Sequence, residues 1–490
     1  MRISQTDSPA PKDSGASLNA HSLFTSDLSR RAVLRYSAGG IALAWGGMLL
    51  TACGGGSSSG STSASGSNSA GGGVEKVNPS ASGPLTSAEK QTLLSMGGPS
   101  NKKFMASGVT WNIGAAFPFS GPYAYYQTIE GDGLKLAAQH IAQLGGPMMN
   151  LNFQNFGSTS GVDTQKAVQA MLAFHDQGAG VAVSGIQAAL GALIPGAGRD
   201  KILLIDAGAG VGTFAGKDYY YALRNNYPLN NVTLACEHVK STTPSARTAV
   251  VVYNSGAAFA PVLDGSVTAV KAAGLQVTGT ATQPLGTTDW ADSFASIRSQ
   301  NPDVIVLVLN GNDGAYFLKQ LPTSGLKQPV YTFSYSAPQQ TIAGAGFEGV
   351  YVVQEAFLPD APTNDWQKIF TKYYREEFTD QASSSSTPFN LSANYYGLGF
   401  LLWELASRVL ATKGDINDGA ALQKALTGNP TFPSIFGGSG TTPGQIKFDV
   451  SSHGLGAVPL AVFQLKNQSP QLLAVADAQG STGASTMVKK

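Results

Sequence analysis

A glycine-rich segment after a predicted β-strand is the first place where the residue types could support chemistry. It reads DAGAGVGTFAGK over residues 206–217. A dinucleotide fingerprint needs three glycines at fixed spacing, and here the third comes one residue too early, at Gly212. A P-loop needs a glycine five residues before its Gly-Lys pair, and none precedes Gly216 at that distance. The segment therefore predicts a loop and not a nucleotide site.

Nucleophilic and metal-binding side chains are too scattered to form a catalytic motif. The histidines are His21, His140, His175, His238 and His453. They lack metal-ligand spacing, and no Gly-x-Ser-x-Gly elbow between a predicted strand and a predicted helix marks a serine nucleophile. Cys236 and His238 lie two residues apart, and such residues do not face each other on a helix. We therefore expect no enzyme, no metal and no cofactor, with Cys236 a small buried hydrophobic residue.

Cys53 ends an N-terminal segment that has the pattern of an export signal. Arg30 and Arg31 precede a short apolar run that closes in the sequence LTAC. A basic region, an apolar region and small residues in this order are typical of a signal peptide, and paired arginines indicate the twin-arginine route. The ending resembles a bacterial lipobox, whose cysteine receives lipid. We expect residues 1–53 to be this signal, with lipid on Cys53.

The rival interpretation of the apolar run is a transmembrane anchor. Residues 37–52 are too few and too rich in glycine, because a bilayer core of about 30 Å needs about 20 apolar residues. Residues 54–73 are almost entirely glycine and serine, a composition typical of a flexible tether with a reach of about 25 Å. Thr86 and Glu89 have capping-box spacing, which predicts a lead-in helix near 87–96 within the segment 54–107.

Composition argues against a nucleic-acid or anionic-membrane partner. The 490 residues carry a formal net charge of +1, and 12% are charged, against about 25% in typical globular domains. A chain of this balance has no basic surface for phosphate groups. We therefore expect no nucleic-acid partner.

From Val109 onward, β-rich runs alternate with segments of helical period. Strands are predicted at 109–117, 149–156, 180–185, 201–206, 247–254, 275–281, 303–310, 329–333 and 349–354. Helices are predicted between them, and later at 363–377, 391–412 and 417–427, before closing strands near 444–450 and 457–466. Continuous apolar strands joined by helices indicate parallel sheets covered on both faces. The fold class is α/β, with two doubly wound Rossmann-like lobes.

Four segments in order carry a resemblance to a known family. They are AAFPFSGPYAYYQTIEGDGLKLA (115–137), DWADSFASIRSQNPDVIVLVLNGND (289–313), GFEGVYVVQEAF (346–357) and IKFDVSSHG (446–454). Together they resemble the type I periplasmic binding proteins, the branched-chain amino acid (Leu/Ile/Val) type of substrate-binding component of ABC importers. The resemblance runs from about residue 109 to residue 466.

The resemblance implies two lobes joined by a three-crossover hinge, which close around a small-molecule ligand. Lobe 1 would comprise 108–229 plus 356–436, and lobe 2 would comprise 230–355 plus 437–476, followed by a disordered tail at 477–490. It also implies an ABC permease in the inner membrane as partner. We expect a monomer, exported by the twin-arginine route and lipid-anchored on the periplasmic face of a bacterial membrane.

The family's ligand residues can be carried onto this chain position by position. In amino-acid-binding members, two hydroxyl positions hold the ligand carboxylate, and here they fall on Ala188–Ala189 and on Ala209 beside Gly210. The family's tyrosine falls near Phe259, and its glutamate, which meets the ammonium group, falls near Tyr335. A buried ammonium without a carboxylate partner costs several kcal/mol. We therefore expect a small organic ligand other than a free α-amino acid.

The predicted ligand-binding set follows from these positions and from the turn before the first long helix. It comprises Tyr123, Tyr126, Gln187, Ala188, Ala189, Ala209, Gly210, Phe259, Asn310 and Tyr335. The N–H groups of residues 187–189 begin a predicted helix, and a helix start favours an anion. Tyr123, Tyr126 and Phe259 could instead pack within a lobe, and Asn310 could serve a turn.

Two functions from different classes remain open. One is a tethered protein that delivers its solute to an ABC importer. The other is a ligand sensor, in which the same body reports closure to a receptor. Uptake of one solute would be lost on deletion of the gene in the first case, whereas intact uptake with lost signalling would favour the second.

Overall fold

The computed structural model describes residues 73–76, 78–121, 123–159, 161–208, 210, 214–225, 228–256, 259–335, 337–378, 390–467, 469–479 and 485–489. The predicted signal, Cys53 and the tether up to residue 72 lie outside this part of the chain. Within it, no helix is both long and apolar enough to cross a bilayer.

The helices of the described residues include the predicted lead-in helix. They are α1 Ser87–Met96, α2 Ala124–Gln143, α3 Thr164–Asp176, α4 Gln187–Asp200, α5 Leu229–Thr242, α6 Ala260–Ala272, α7 Ala291–Gln300, α8 Asp313–Gln320, α9 Ala337–Ala343, α10 Asp365–Glu377, α11 Asn390–Ala411 and α12 Gly419–Gly428. The capping box at the start of α1 is confirmed, since Thr86 and Glu89 exchange both hydrogen bonds.

The strands form two large sheets and one short hairpin. They are β1 Gly73–Lys76, β2 Thr110–Phe117, β3 Met148–Asn155, β4 Gly157–Ser158, β5 Gly161–Val162, β6 Val181–Ser184, β7 Leu203–Asp206, β8 Tyr220–Ala222, β9 Thr248–Asn254, β10 Gln276–Gln283, β11 Val304–Val308, β12 Val330–Thr332, β13 Tyr351–Glu355, β14 Thr431–Ser439, β15 Thr442–Asp449, β16 Gly454–Lys466, β17 Ser469–Gln479 and β18 Ser485–Lys489.

The first sheet builds the first lobe. Its order is β1-β3-β2-β6-β7-β8, parallel except for the antiparallel edge strand β1. The strands are buried on both faces, as in the fully buried β6 and β7. This burial explains why they are visible in the sequence as continuous apolar runs.

The second sheet builds the second lobe and is mixed. Strands β10-β9-β11-β12-β13 are parallel, and β16, β15 and β14 continue the sheet in antiparallel fashion, with β17 and β18 attached to β16. The parallel half is centred on β11, whose five residues VIVLV are all buried. The two-lobed α/β architecture predicted from the sequence is confirmed.

The C-terminal helices return to the first lobe. Helix α11 packs along α2, and the two backbones approach closely where both helices carry small residues. A Cβ at Gly133 would overlap the carbonyl oxygen of Ser392, and a Cβ at Gly399 would overlap Ala137. Glycine is therefore required at this helix crossing, because no other residue allows the same approach.

The chain passes between the lobes three times. It leaves the first sheet after β8, returns after β13 to form α10–α12, and leaves again before β14. At the first two passages, the buried Glu355 accepts hydrogen bonds from Asn225 (3.4 Å) and Asn390 (2.5 Å) and lies 3.5 Å from Arg224 Nε. A cavity of about 20 Å³ lies beside this network, which is room for about one water.

Several elements differ from the sequence expectation. Strand β14 joins the second sheet, although the expected boundaries put residues up to 436 in lobe 1. Strands β17 and β18 pair where a disordered tail was expected from residue 477. Strand β17 buries Ala474, Ala476 and Ala478 on one face, and alanine is a weak β-former, so the alternation is hard to see in the sequence.

A candidate ligand-binding site at the strand ends

Each lobe presents a group of loops at the carboxyl ends of its parallel strands. We call residues 184–187, 206–208 and 210 the first rim, and residues 254–256, 259, 309–313 and 332–335 the second rim. Strands β6 and β7 are neighbours, as are β9, β11 and β12, so the loops that follow them lie side by side. Ligands of open parallel sheets bind at this edge.

The start of helix α4 supplies open backbone donors to the first rim. Ile186 precedes the helix in an extended conformation and forms no side-chain cap. Gln187 and Ala188 are exposed, and the first N–H groups of a helix have no acceptor within it. Ala189 is fully buried in the core, and its N–H donates to the carbonyl of Ile186. The side chain of Ala189 therefore lies in the core, and not at the surface of the first rim where the sequence predicts a ligand contact.

Helix α11 holds the first rim from below. Tyr395 donates to the carbonyl of Ser184 at 2.6 Å, and Asn394 donates to the carbonyl of Ala207 at 3.0 Å. The two loops of the rim also touch each other, because the N–H of Ala207 donates to the carbonyl of Ser184. A Cβ at Gly208 would overlap the carbonyl oxygen of Gly185. The rim therefore has a fixed backbone geometry.

One cation and two buried acids surround the first rim. Arg224, whose side chain is 19% exposed, donates to the carbonyl of Gly208 at 2.9 Å. The carboxylate of Asp206 accepts from the N–H of Gly208 at 3.1 Å. Glu130 on α2 is fully buried beneath the rim, and burial, reinforced by the nearby Asp206, raises its pKa well above the ordinary value.

The second rim differs because its polar groups bind one another. The buried Asn254 donates to Asp313 at 2.7 Å and accepts from the backbone N–H of Asn310 at 2.8 Å. Asp313 also accepts from the N–H of Gly286 at 3.0 Å. Burial raises the pKa of Asp313, while these hydrogen bonds oppose the shift. Asn310 is therefore tied to Asn254 instead of standing free at the strand end.

Tyr335 is held at the other end of the second rim. Its hydroxyl donates to Gln340 at 2.7 Å, and its ring packs edge-on against Phe347. Burial, together with the charge of Asp360, raises the pKa of Tyr335 to about 12. The side chain is half-buried, so an aromatic edge remains available while the hydroxyl is already engaged.

The remaining predicted residues are placed as follows. Tyr123 precedes α2, is half-buried and packs against the core of the first lobe beside Gly161. Phe259 precedes α6 and is half-buried. Gly210 follows β7 and is half-buried. The side chain of Tyr126 and all of Ala209 lie outside the described residues.

Sequence reasoning missed Arg224, Glu130 and Asn254. Arg224 follows β8, a strand of three residues that gives almost no signal. Glu130 and Asn254 are single polar residues within predicted elements, and only the fold shows what surrounds them. The apolar Val304–Val308 strand before Asn310 was the one clear pointer to the second rim.

Cys236 and His238 lie two residues apart on α5, and both are buried. Cys236 is buried and free, and burial raises its pKa to about 12. His238 is bonded to the hydroxyl of Tyr331 at 2.7 Å. The expectation that Cys236 is a buried hydrophobic residue is confirmed. Among the described residues, no group of three or more His, Cys, Asp or Glu side chains could hold a metal ion.

Solved structures of the same fold include several binding proteins. A solute-binding protein of an ABC transporter from R. palustris, in complex with benzoate, is 19% identical, covers 78% of this chain and 98% of its own, and has a TM-score of 0.60. A second from R. palustris, in complex with 4-hydroxybenzoate, is 15% identical over 76% of this chain and 99% of its own, with a TM-score of 0.61. A leucine binding protein from Thermotoga maritima is 16% identical over 76% of this chain and 100% of its own, with a TM-score of 0.59.

At these identities the likeness establishes a common fold. No curated protein sequence matches the chain. A family model described as periplasmic binding protein matches residues 110–470, which include strands β2 to β16, all three passages between the lobes and both rims. Since the match spans well over half of the sequence, the chain belongs to the periplasmic binding protein family.

Proposed function

We propose that this protein is the extracytoplasmic solute-binding component of an ABC importer and that it captures a small organic acid by closing its two rims. One observation supports the choice of ligand above the others. The first rim presents the uncapped start of α4 near Arg224. Backbone donors and a helix dipole at such a start favour a carboxylate.

The second rim argues against a free α-amino acid. Within its described residues Asp313 is the only carboxylate, and it is buried and bonded to Asn254 and Gly286. An ammonium group bound there would have no available acid, and its desolvation would go uncompensated. A ligand with an acid at one end and an apolar or aromatic body fits both rims better.

Two of the neighbours of the same fold are solved with ligands of this class, benzoate and 4-hydroxybenzoate, whereas a third is a leucine binding protein. Phe259 and Tyr335 give the second rim two half-buried aromatic rings, and aromatic pairs add about 0.5–1.5 kcal/mol beyond area burial. The membership of a binding-protein family agrees with the expectation that the chain is not an enzyme.

The setting of the protein in the cell is part of the proposal. The chain would leave the cytoplasm by the twin-arginine route, receive lipid on Cys53 and work as a monomer on the periplasmic face. It would pass its ligand to an ABC permease in the inner membrane. A Cys53→Ser variant should lose the anchor and appear in the soluble periplasmic fraction, whereas unchanged membrane association would contradict the lipid assignment.

Calorimetry on the purified full chain tests the ligand class. We expect micromolar binding of benzoate or 4-hydroxybenzoate, and no binding of leucine, isoleucine or valine. Micromolar binding of any of these three amino acids would overturn the proposal. Deletion of the gene should then abolish uptake of the bound acid, and intact uptake with lost signalling would favour the sensor instead.

A proline placed at the start of α4 tests the carboxylate contact directly. Gln187 is the first residue of the helix and follows the extended Ile186, a position where proline is well tolerated but removes the N–H donor. We expect Gln187→Pro to weaken acid binding about tenfold, because a hydrogen bond to a charged group contributes about 1.5–3 kcal/mol.

Two variants control for this change. Gln187→Ala keeps the N–H and should bind nearly as the wild type. Thr164→Pro makes the same change at the first residue of α3, which also follows an extended residue, and should leave affinity unchanged. Equal affinities of Gln187→Pro and Gln187→Ala would show that this N–H does not contact the ligand.

A further inference from the structure

Glu130 is a buried acid for which the fold provides no hydrogen bond. It lies on α2 in the first lobe, and its exposed fraction is 0%. Neither of its carboxyl oxygens has a hydrogen-bond partner in the described part of the chain. Buried carboxylates are normally paired or neutral, because an isolated buried charge is very costly.

The carboxyl group of Glu130 lies directly under the first rim. A Cβ added to Gly185 would overlap Glu130 Oε2 and would come within 2.5 Å of the Tyr395 hydroxyl. Gly185 links the end of β6 to the start of α4. The acid is therefore separated from the proposed carboxylate position by one layer of backbone.

The groups around Glu130 do not offer it a free counter-charge. Asp206 at the end of β7 reinforces the rise of its pKa, and Tyr395 on α11 is a neutral neighbour whose own pKa is also raised. Among the described residues, Arg224 on the first passage between the lobes is the one cation that favours the charged form, and it already lies 3.5 Å from Glu355.

We propose that Glu130 is a specificity-determining residue of the ligand site, which stays uncharged and thereby lets the first rim accept an anion. The inference rests on the proposed function. An ionised Glu130 would place a negative charge behind the amides of α4, where it opposes both the helix dipole and the ligand carboxylate. The glutamate thus sets the sign of the charge that the rim accepts.

The pH dependence of acid binding tests the inference. The ligand carboxylate keeps its charge from neutral to alkaline pH, so a loss of affinity reports on the protein. We expect the affinity of the wild type for benzoate to fall as pH rises, by at most about tenfold per pH unit because one proton is linked. Glu130→Gln has the same shape without the charge, and its affinity should stay flat.

A merely structural role for Glu130 would give a different result. Glu130→Gln would then change affinity by the same factor at every pH, and the slope of the wild type would persist in the variant. That outcome would overturn the inference and leave the proposed function intact. Absence of binding of any organic acid by the wild type would overturn the proposed function and the inference together.

Two measurements keep the test decisive if Glu130→Gln fails to fold. Infrared spectra of the ligand-free wild type should contain the carbonyl band of a protonated buried acid at neutral pH. Calorimetry of benzoate binding to the wild type in buffers of different ionisation enthalpy should show uptake of about one proton at alkaline pH. Binding without proton uptake over this range would contradict the inference.

Discussion

The two rims occupy equivalent positions in their lobes, but their polar groups differ in how far they are hydrogen-bonded within the protein. In the second rim, Asn254, Asn310 and Asp313 satisfy each other through hydrogen bonds of 2.7–2.8 Å. In the first rim, α4 starts without a side-chain cap, and Glu130 lies below it without a hydrogen bond to any residue that the structure describes. The polar groups of the second rim are thus bonded to one another, whereas the first rim keeps backbone N–H groups at the start of α4 that a ligand can reach.

This difference suggests which kind of ligand contact each rim can form. A donor that is already bonded must break that bond before it can serve a ligand, whereas an open donor needs only to lose water. In the proposed function, the first rim would therefore provide the polar contacts that orient the ligand. The second rim would provide aromatic surface, which its internal hydrogen-bond network stabilises.

The largest expected effect comes from filling the space at Gly208 in the first rim. A Cβ there would overlap the carbonyl oxygen of Gly185, which is backbone and cannot rotate away. Overpacking typically costs 1–3 kcal/mol, and we expect Gly208→Ala to lower the free energy of unfolding by about 3 kcal/mol. Urea denaturation measures this change.

A matched glycine on the neighbouring helix provides the control. Gly191 lies within α4 and has open space around its Cα. Gly191→Ala should raise the free energy of unfolding by about 0.5–1 kcal/mol, because alanine is the better helix former. If Gly208→Ala and Gly191→Ala changed the free energy of unfolding by similar amounts, the backbone of the first rim would not be fixed by the close approach of Gly208 to Gly185.

Acid sensitivity extends the comparison to the cores of the two lobes. Each buries a histidine bonded to a tyrosine hydroxyl at 2.7 Å, His140 with Tyr396 and His238 with Tyr331. Burial lowers the pKa of His140 to about 3, although the charge of Glu89 opposes the shift. Below about pH 6.5 the unfolded chain therefore binds a proton on His140, whereas in the folded chain this histidine stays neutral until about pH 3.

The contribution of His140 to stability should consequently fall as pH falls from about 6.5 towards 3. A buried acid with a raised pKa, such as Glu130, has the opposite slope in this range, so His140→Gln is needed to isolate the histidine. Between pH 6.5 and 4.5 we expect the wild type to lose about 2–3 kcal/mol in the free energy of unfolding relative to His140→Gln, measured with urea at each pH. A difference between the two proteins that does not change with pH would show that His140 accepts a proton in the folded state.

The sequence predicts those parts of the fold that have a signal in their own residues. Strands such as Val304–Val308 are continuous apolar runs because helices cover both faces of the parallel sheets. Helix α3 is visible from Asp163, whose side chain accepts from the first turn. These signals lie within a few residues of the element they specify.

The missed features depend on partners that are distant in the chain. Strand β1 is exposed at all four residues and exists only through its pairing with β3. Glu130 lies beneath Gly185, which is far along the sequence. Gln187 could be placed at the rim because it directly follows a clear strand, but the partner of Asn310 could be found only from the fold.

Removing the centre of the second rim should have an intermediate effect. Asn254→Ala deletes the donor to Asp313, which is buried, and the acceptor of the Asn310 N–H, which is half-buried. We expect a loss of about 2 kcal/mol in the free energy of unfolding. The exposed Asn312, whose side chain caps nothing, gives the control Asn312→Ala, which should change it by less than about 0.5 kcal/mol.

The same variant should also change the dependence of stability on pH. The hydrogen bond from Asn254 lowers the pKa of Asp313 against the effect of burial, so its loss raises that pKa further. A raised acid pKa means that stability falls as pH rises through the carboxyl range. The deficit of Asn254→Ala should therefore be larger at pH 7 than at pH 4, and an equal deficit would show that Asp313 does not depend on Asn254.

The smallest effect is expected at Gly311, where the second rim needs glycine for its conformation and not for space. Its φ is +58°, and nothing would contact an added Cβ. Gly311→Ala should cost about 1 kcal/mol, and Gly311→Asn should cost less because asparagine tolerates this conformation. At Gly208 the order should reverse, since the larger asparagine meets the same backbone overlap. An identical ranking at both glycines, measured by urea denaturation, would mean that the two rims are not constrained by different physical causes.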